Sequence, residues 1–342
     1  MKNLSVLFSS RWFRLVTGLI ISLGTIFLAI RNVDFALVWA ALKNARLIFI
    51  FLALGSVLIN TLVKARRWKV LVGPDGQAIS LWKYWMILLT GQMLNALLPA
   101  RLGDLTRAYT LGGLGPGRTF VLGTIVLEKM LDSLAYLCLF GVLFVLIPLP
   151  EWMSGSILVF LLVTLALVAG VIVLVYYPTP LMNLLRRISR LLPERLRSWL
   201  SPRIESGLRS LEIIRRRKDL ARLTFWTALV WGTAILNNYL VMQALDLHLP
   251  LVAPVLILVG LQAGISLITI PGTIGVFEYI CVLALTFFGV EPSLAFSYGL
   301  LLHAIVLLPP LLGGMISFWA LGLSGKQLKF ENTLSQPSTQ QS

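Results

Sequence analysis

Residues 95–107 read Asn95-Ala96-Leu97-Leu98-Pro99-Ala100-Arg101-Leu102-Gly103-Asp104-Leu105-Thr106-Arg107. An apolar run, Leu81–Pro99, here meets a proline, which has no backbone donor, and then a glycine, which tolerates unusual backbone angles. A helix must break at this point. Pro271-Gly272-Thr273-Ile274-Gly275 repeats the P-x-x-x-G spacing inside a second apolar stretch, Leu251–Val290. A break inside an apolar run frees polar backbone groups. Exposed to hydrocarbon, each such group costs several kcal/mol, so both breaks should be buried in protein or line a wet cavity.

The composition supports a bilayer as the solvent. The chain has 342 residues, of which 58% are hydrophobic and 13% charged. A soluble domain carries about 25% charged residues. The largest polar insert, Tyr177–Arg222, is short and basic. A net charge of +15 would suggest nucleic acid in a soluble protein, but here the basic residues cluster between apolar runs. That distribution fits positive-inside topology and attraction to anionic headgroups, and no nucleic-acid motif is present. The two cysteines, Cys138 and Cys281, and the two histidines, His248 and His303, form no metal-binding spacing. No cofactor or metal is expected.

Spans need about 20 mostly apolar residues. The runs Leu15–Ile30, Leu47–Val63, Phe120–Ile147, Ile157–Tyr176, Leu223–Ala244 and Ala295–Leu323 qualify. The first lacks a small-residue cleavage site after Ile30 and reads as an uncleaved span. Basic clusters at the N-terminus, at Lys64–Lys69, over Arg186–Arg222 and at Lys326 and Lys329 place these segments in the cytoplasm. Parity then requires that Leu81–Pro99 enter and return on the cytoplasmic side. Leu251–Ile270 and Val276–Val290 must enter and leave from the outer side. Arg31–Arg46 becomes an outer loop. The expectation is an all-α polytopic membrane protein with six full spans and two broken re-entrant segments, eight membrane helices or so, in inverted repeats. The first repeat covers residues 1–147. The second covers 148–325 and holds a basic cytoplasmic loop, 177–222. Residues 326–342, rich in Ser, Gln and Thr, read as a disordered tail.

Candidate site residues cluster at the breaks. Arg101, Asp104 and Arg107 recur every three residues and share a helix face. Two guanidiniums flanking a carboxylate suit a phosphate headgroup, because arginine offers a planar bidentate fork. Asn95 is a further headgroup candidate. The plainer reading is an interfacial anchor for the hairpin. Glu128 and Asp132 share a face within Phe120–Ile147, while Lys129 points elsewhere. Glu128 lies about 12 Å into that helix, where a bare carboxylate is costly and needs a partner. Arg101, Arg107 or a translocated proton would serve, and a charge-paired strut is the structural alternative. Glu278 follows the second break and either carries a coupling proton or caps the restarting helix. Pro99, Gly103, Pro271, Gly272 and Gly275 are the break residues. Gln262, Asn237 and Asn238 suit interhelical hydrogen bonding, and Trp82, Trp85 and Trp152 suit the membrane interface. Topology alone explains Arg66-Arg67-Trp68, with contact to headgroups at the hairpin mouth as the alternative.

Three stretches together resemble a known family: the Arg67-Trp68 ending, Asn95…Pro99-Ala100-Arg101-Leu102-Gly103-Asp104…Arg107 with Glu128…Asp132, and Pro271-Gly272-Thr273-Ile274-Gly275…Glu278. The chain is similar to the flippase-like membrane domain of lysylphosphatidylglycerol synthases, which also occurs as a standalone protein. Members of that family often have Glu where this chain has Asp104. The resemblance implies a role in moving or presenting lipids, by analogy with the synthase's flipping of aminoacylated phosphatidylglycerol. The soluble aminoacyl-transfer domain of the synthases is absent from these residues, so lysyl transfer is not expected.

The sequence therefore predicts a multi-pass cell-membrane protein, with both termini cytoplasmic, that binds or translocates an anionic phospholipid or a polyprenyl-linked lipid. An intramembrane lipid-modifying transferase or hydrolase using Glu128 and Asp132 is one alternative. A secondary transporter of a small anion is another. Membrane lipids are the expected partners, with a second copy of the chain or an enzyme of lipid modification as the protein partner.

Overall fold

The computed structural model describes residues 22–98, 102–148, 217–267 and 271–323, with a few positions between 162 and 170. Pro99, Arg101, Trp152, most of the run Ile157–Tyr176, most of the 177–222 loop and the tail lie outside the described residues. Among the described residues every regular element is helical. The helices are α1 (Ser22–Ile30), α2 (Phe35–Lys43), α3 (Leu47–Val72), α4 (Leu81–Leu97), α5 (Leu102–Gly112), α6 (Arg118–Leu146), α7 (Arg217–Ala244), α8 (Val252–Leu267), α9 (Val276–Thr286) and α10 (Pro292–Ala320). Single 3-10 turns occupy Gly73–Gly76 and Pro271–Thr273.

By length and apolarity, α6, α10 and α3 with its following turn can each cross a membrane, and α1 with α2 forms a fourth candidate bent by 84°. The shorter apolar stretches Val252–Ile265 and Val276–Thr286 flank the second break. The protein is thus a multi-pass helical membrane protein, with three or four clear spans described.

Two expectations about local structure change. The expected outer loop Arg31–Arg46 contains a helix, α2. Asp34 starts it by accepting a hydrogen bond from the Ala36 amide at 2.8 Å, and its own amide donates to Ser293 Oγ at 3.0 Å. The second span does not stop at Val63 but runs through the basic cluster to Val72. Ala65, Trp68 and Leu71 face the protein interior, and Arg67 is buried beside them, while Arg66 stays outside. The charges therefore lie on an amphipathic helix instead of ending it.

Helices α3 and α7 pack along their length. Their contact is reciprocal. Asn60 Nδ2 of α3 donates to Val230 O and Thr233 Oγ1, both at 2.7 Å. Asn237 Nδ2 of α7 donates to Ala53 O at 2.9 Å and to Ser56 Oγ at 2.8 Å. Asn238 reaches Pro254 O of α8 at 3.2 Å. These side chains place their Nδ2 donors on acceptors of the partner helix. Beyond this pair, α4 packs on α10 and α8 packs on α6. Gly314 lets α10 approach so closely that a Cβ there would sit 2.7 Å from Leu89 O.

The connecting segments gather at two ends. At one, the Arg46 amide donates to Ala244 O at 2.8 Å, and the Arg46 guanidinium meets Asp246 at 2.7 Å. At the other, Lys69 Nζ holds the turn after α3 through Ile79 O at 2.6 Å, and Arg66 lies over the Trp226 ring.

Helices α4 and α5 lie against each other through Gly91 and Gly103. A Cβ on Gly103 would collide with Gly91 O and come within 2.7 Å of Asn95 Oδ1. Gly103→Ala should lower stability by about 1–3 kcal/mol through this overpacking. Gly141→Ala, where nothing lies within 4 Å, should stay within about 0.5 kcal/mol of the parent. Unfolding of the two variants in detergent checks this.

Candidate functional site

The short helix after the first break is fixed by charge. Arg107 on α5 meets Glu128 on α6 in a fork, with Nη2 to Oε2 at 2.6 Å and Nη1 to Oε1 at 3.5 Å. Nη1 also donates to Asp104 Oδ1 at 3.3 Å. The guanidinium stacks 4.2 Å from the centre of the Trp68 ring, whose own Nε1 donates to Thr124 Oγ1 at 3.1 Å. Asp104 accepts from Asn95 Nδ2 at 3.3 Å and lies 3.7 Å from Lys129 Nζ. Arg67 on α3 pairs with Asp132 at 2.6 Å, approaches Glu128 at 3.9 Å and donates to Thr227 Oγ1 of α7 at 3.4 Å. Exposure is 0% for Arg67, 3% for Arg107 and 4% for Glu128. At this depth, charges persist only when paired and hydrogen-bonded.

The sequence identified Glu128 and Asp132 as groups needing partners and offered Arg107 as one. Arg107 does pair with Glu128. The partner of Asp132 is Arg67, which the sequence reading assigned to topology alone. A detectable signal was present: Val70-Leu71-Val72 resumes the apolar pattern after the basic cluster, so the helix continues and carries its charges inward. Lys129 was expected to point elsewhere, but it reaches the cluster at Asp104.

The second break is held differently. Gly272 and Gly275 both take positive φ, +69° and +90°, and Thr273 between them has φ +51°. Gly275 packs so tightly on α1 that a Cβ would lie 2.8 Å from Ser22 O, and Ser22 Oγ donates to Ile274 O at 2.7 Å. Glu278, in the first turn of α9, accepts from the Gly275 amide through Oε2 at 2.7 Å. Its Oε1 lies 2.6 Å from His303 Nδ1 of α10. An ionised carboxylate only accepts, so Nδ1 carries the hydrogen of that contact. The His303 ring stacks on Phe277 with centroids 4.3 Å apart. The cap expected of Glu278 is therefore present together with a second partner. His303, which the sequence reading considered only as a metal ligand and set aside for want of a metal-binding spacing, sits 25 residues from Glu278 along the chain.

Between the two breaks lies a cavity of about 410 Å³. It opens among α3, α4, α7, α8 and α10, with Gly272 and Thr273 at one side and Asn95 and Ala96 at the other. One part of the wall is polar: Asn60, Thr61, Lys64, Gln92, Asn95, Asn237, Gln262 and His303. The rest is apolar, including Leu258, Leu261, Ile265, Leu302, Val306 and Leu307. A binding pocket typically measures about 300–1,000 Å³. Among the described residues no group of three or more His, Cys, Asp or Glu is placed to hold a metal.

Arg67→Met should leave Asp132 without its partner and lower stability by about 3–5 kcal/mol. The double variant Arg67→Met/Asp132→Leu should recover much of that loss. Unfolding midpoints of the singles and the double give the coupling directly.

A family model described as the lysylphosphatidylglycerol synthase TM region matches residues 15–314. No curated protein and no solved structure matches the chain. The matched span includes the charge cluster, both breaks and the cavity between them. By that match the chain belongs to the family of lysylphosphatidylglycerol synthase transmembrane regions.

Proposed function

We propose that the protein binds amphipathic lipids, an anionic phospholipid or a polyprenyl-linked lipid, in the central cavity and moves them between the leaflets of the cell membrane. The observation that carries this reading is the divided wall of the cavity. A headgroup would meet the amides and Lys64, and acyl or prenyl chains would lie along the leucine, isoleucine and valine side. A soluble anion would gain nothing from that apolar half. Membership of a membrane family named for lipid synthases supports the same substrate class.

The same proposal treats the halves as inverted repeats with re-entrant hairpins. Helix lengths support it. In the first half, α3, α4, α5 and α6 have 26, 17, 11 and 29 residues; α7, α8, α9 and α10 have 28, 16, 11 and 29. Packing follows the same order: α4 on α10 corresponds to α8 on α6. Inverted repeats with interrupted helices commonly surround a substrate site near the membrane midplane. Arg66, Lys69 and Arg222 at one end favour that end, and with it both termini, as cytoplasmic. Asn95 would touch the headgroup directly, with Asp104 and Arg107 behind it and Arg101 beside the break. Glu128, Asp132 and Glu278 would balance charge or carry a coupling proton as the halves rock.

Purified protein in vesicles should speed the exchange of a fluorescent phosphatidylglycerol between leaflets, followed with a membrane-impermeant quencher. Ala234→Trp, which places an indole in the cavity, should return exchange to the protein-free rate. Undiminished exchange by a folded Ala234→Trp protein would remove the cavity from the route.

A further inference from the structure

Among the described residues, the charges around the cavity leave one cation over. The three carboxylates Asp104, Glu128 and Asp132 are engaged by Lys129, Arg107 and Arg67. Lys64 lies one turn before Arg67 on α3, lines the cavity and makes no ion pair or hydrogen bond among the described residues. No acidic side chain among the described residues lines the cavity. Glu278 is near its edge, but both of its oxygens are turned to the Gly275 amide and His303. Asp132 and Glu128 are near enough to act on Lys64 through space, but both are paired with arginines and neither contacts it. A partly buried ammonium with no carboxylate in contact is costly in a membrane protein, and such groups mark sites where a ligand supplies the countercharge.

Two further groups lack partners on the same wall. Gln92 Oε1 and Asn95 Oδ1 are buried acceptors without a hydrogen-bond donor. The Asn95 amide cannot simply turn over, because its Nδ2 donates to Asp104 Oδ1. Asn95 Oδ1 lies against Gly103, so Gln92 Oε1 is the acceptor for a ligand to reach. A buried acceptor without a donor costs about 1–3 kcal/mol, and a ligand that brings hydroxyls gains by satisfying it.

We infer that Lys64 receives the phosphate of an anionic headgroup that carries free hydroxyls, and that the cavity rejects an aminoacylated, cationic headgroup. This inference rests on the lipid reading of the same cavity. It sets the substrate apart from the aminoacylated lipid that the resemblance would suggest. A lysyl ester would bring an ammonium beside Lys64 and find no carboxylate among the described residues of the wall to receive it. Like-charge juxtaposition of that kind is an effective device for excluding a wrong partner.

The test uses the full chain in detergent, with equal amounts of phosphatidylglycerol and lysylphosphatidylglycerol, and native mass spectrometry of the retained lipid. The parent should retain phosphatidylglycerol by about tenfold or more over its lysyl ester. Lys64→Arg should keep the preference. Lys64→Met should reduce it to about twofold or less while leaving the unfolding midpoint unchanged or higher, since removing an unpaired charge relieves a folded-state cost. Gln92→Glu, a second route that leaves Lys64 in place, should erase or invert the preference. An unchanged preference in both Lys64→Met and Gln92→Glu would overturn the role of Lys64. Equal retention of the two lipids by the parent would overturn the selectivity and leave the lipid reading intact. Retention of neither would overturn the lipid reading itself. Glycerol 3-phosphate added in excess should not displace the lipid; displacement would reassign the seat to a small soluble anion.

Discussion

A carboxylate buried in a membrane helix must be matched by a cation that comes to it, and Glu128 imposes this constraint on half of the structure. It sits near the middle of α6, buried, and meets Arg107 in a two-pronged contact. Satisfying it fixes α5 against α6. Because α5 begins just after the first break, the same contact sets where the end of α4 can lie, and with it Gln92 and Asn95. Asp132, one turn further along α6, draws Arg67 and hence α3 into the same assembly. Thr227 extends it to α7. Five helices are thus registered by a few ion pairs and hydrogen bonds that would have little net value at a water-exposed surface.

The second break meets the same problem with smaller charges. There, glycine conformations carry the turn, and Glu278 satisfies a backbone amide that the turn leaves free. His303 takes the role that Glu128 has at the first break: each ionisable side chain lies on the long helix that follows, and each binds a partner on the short helix just beyond the break. The two solutions differ in one respect. The first uses an arginine–glutamate fork with two parallel contacts, the second a single carboxylate–imidazole contact and a backbone amide. The cavity therefore touches each solution through one residue: Asn95, backed by Asp104 and Arg107, at the first break, and His303, held by Glu278, at the second.

What the sequence disclosed follows the physics of cost. Pro99, Gly103, Pro271 and Gly275 were readable because a broken helix at membrane depth is expensive and few residue types permit it. Glu128, Asp132 and Glu278 were readable for the same reason. Partners were harder to read. Arg67 follows a long apolar run, where a basic residue is already explained by membrane topology, so nothing in its own position demanded burial. His303 lies on a different helix from Glu278, and no periodicity links them. Lys129 is offset from Glu128 by one residue, yet its long side chain reaches back to Asp104, which a face diagram ignores. Local pattern identifies groups that need compensation; tertiary packing decides which residue supplies it.

The reciprocal Asn60 and Asn237 contacts bear on how an amphipathic cavity can exist between these helices at all. Each asparagine spends its Nδ2 on a carbonyl and a hydroxyl of the opposite helix, so α3 and α7 are joined by polar contacts that need no large side chains at the crossing. That close joint places Lys64 on one side of it beside Thr233 and Ala234 on the other, with the cavity continuing to Leu258, Leu261 and Ile265 of α8 and Leu302 and Val306 of α10. Had the same crossing been built from leucines, its contacts would have filled the space that Asn60, Thr61 and Lys64 now share. The polarity of the cavity is therefore a consequence of how the two longest-packed helices are joined, and among the described residues its net charge follows from Lys64, a lining cation that makes no ion pair with the carboxylates of the cluster.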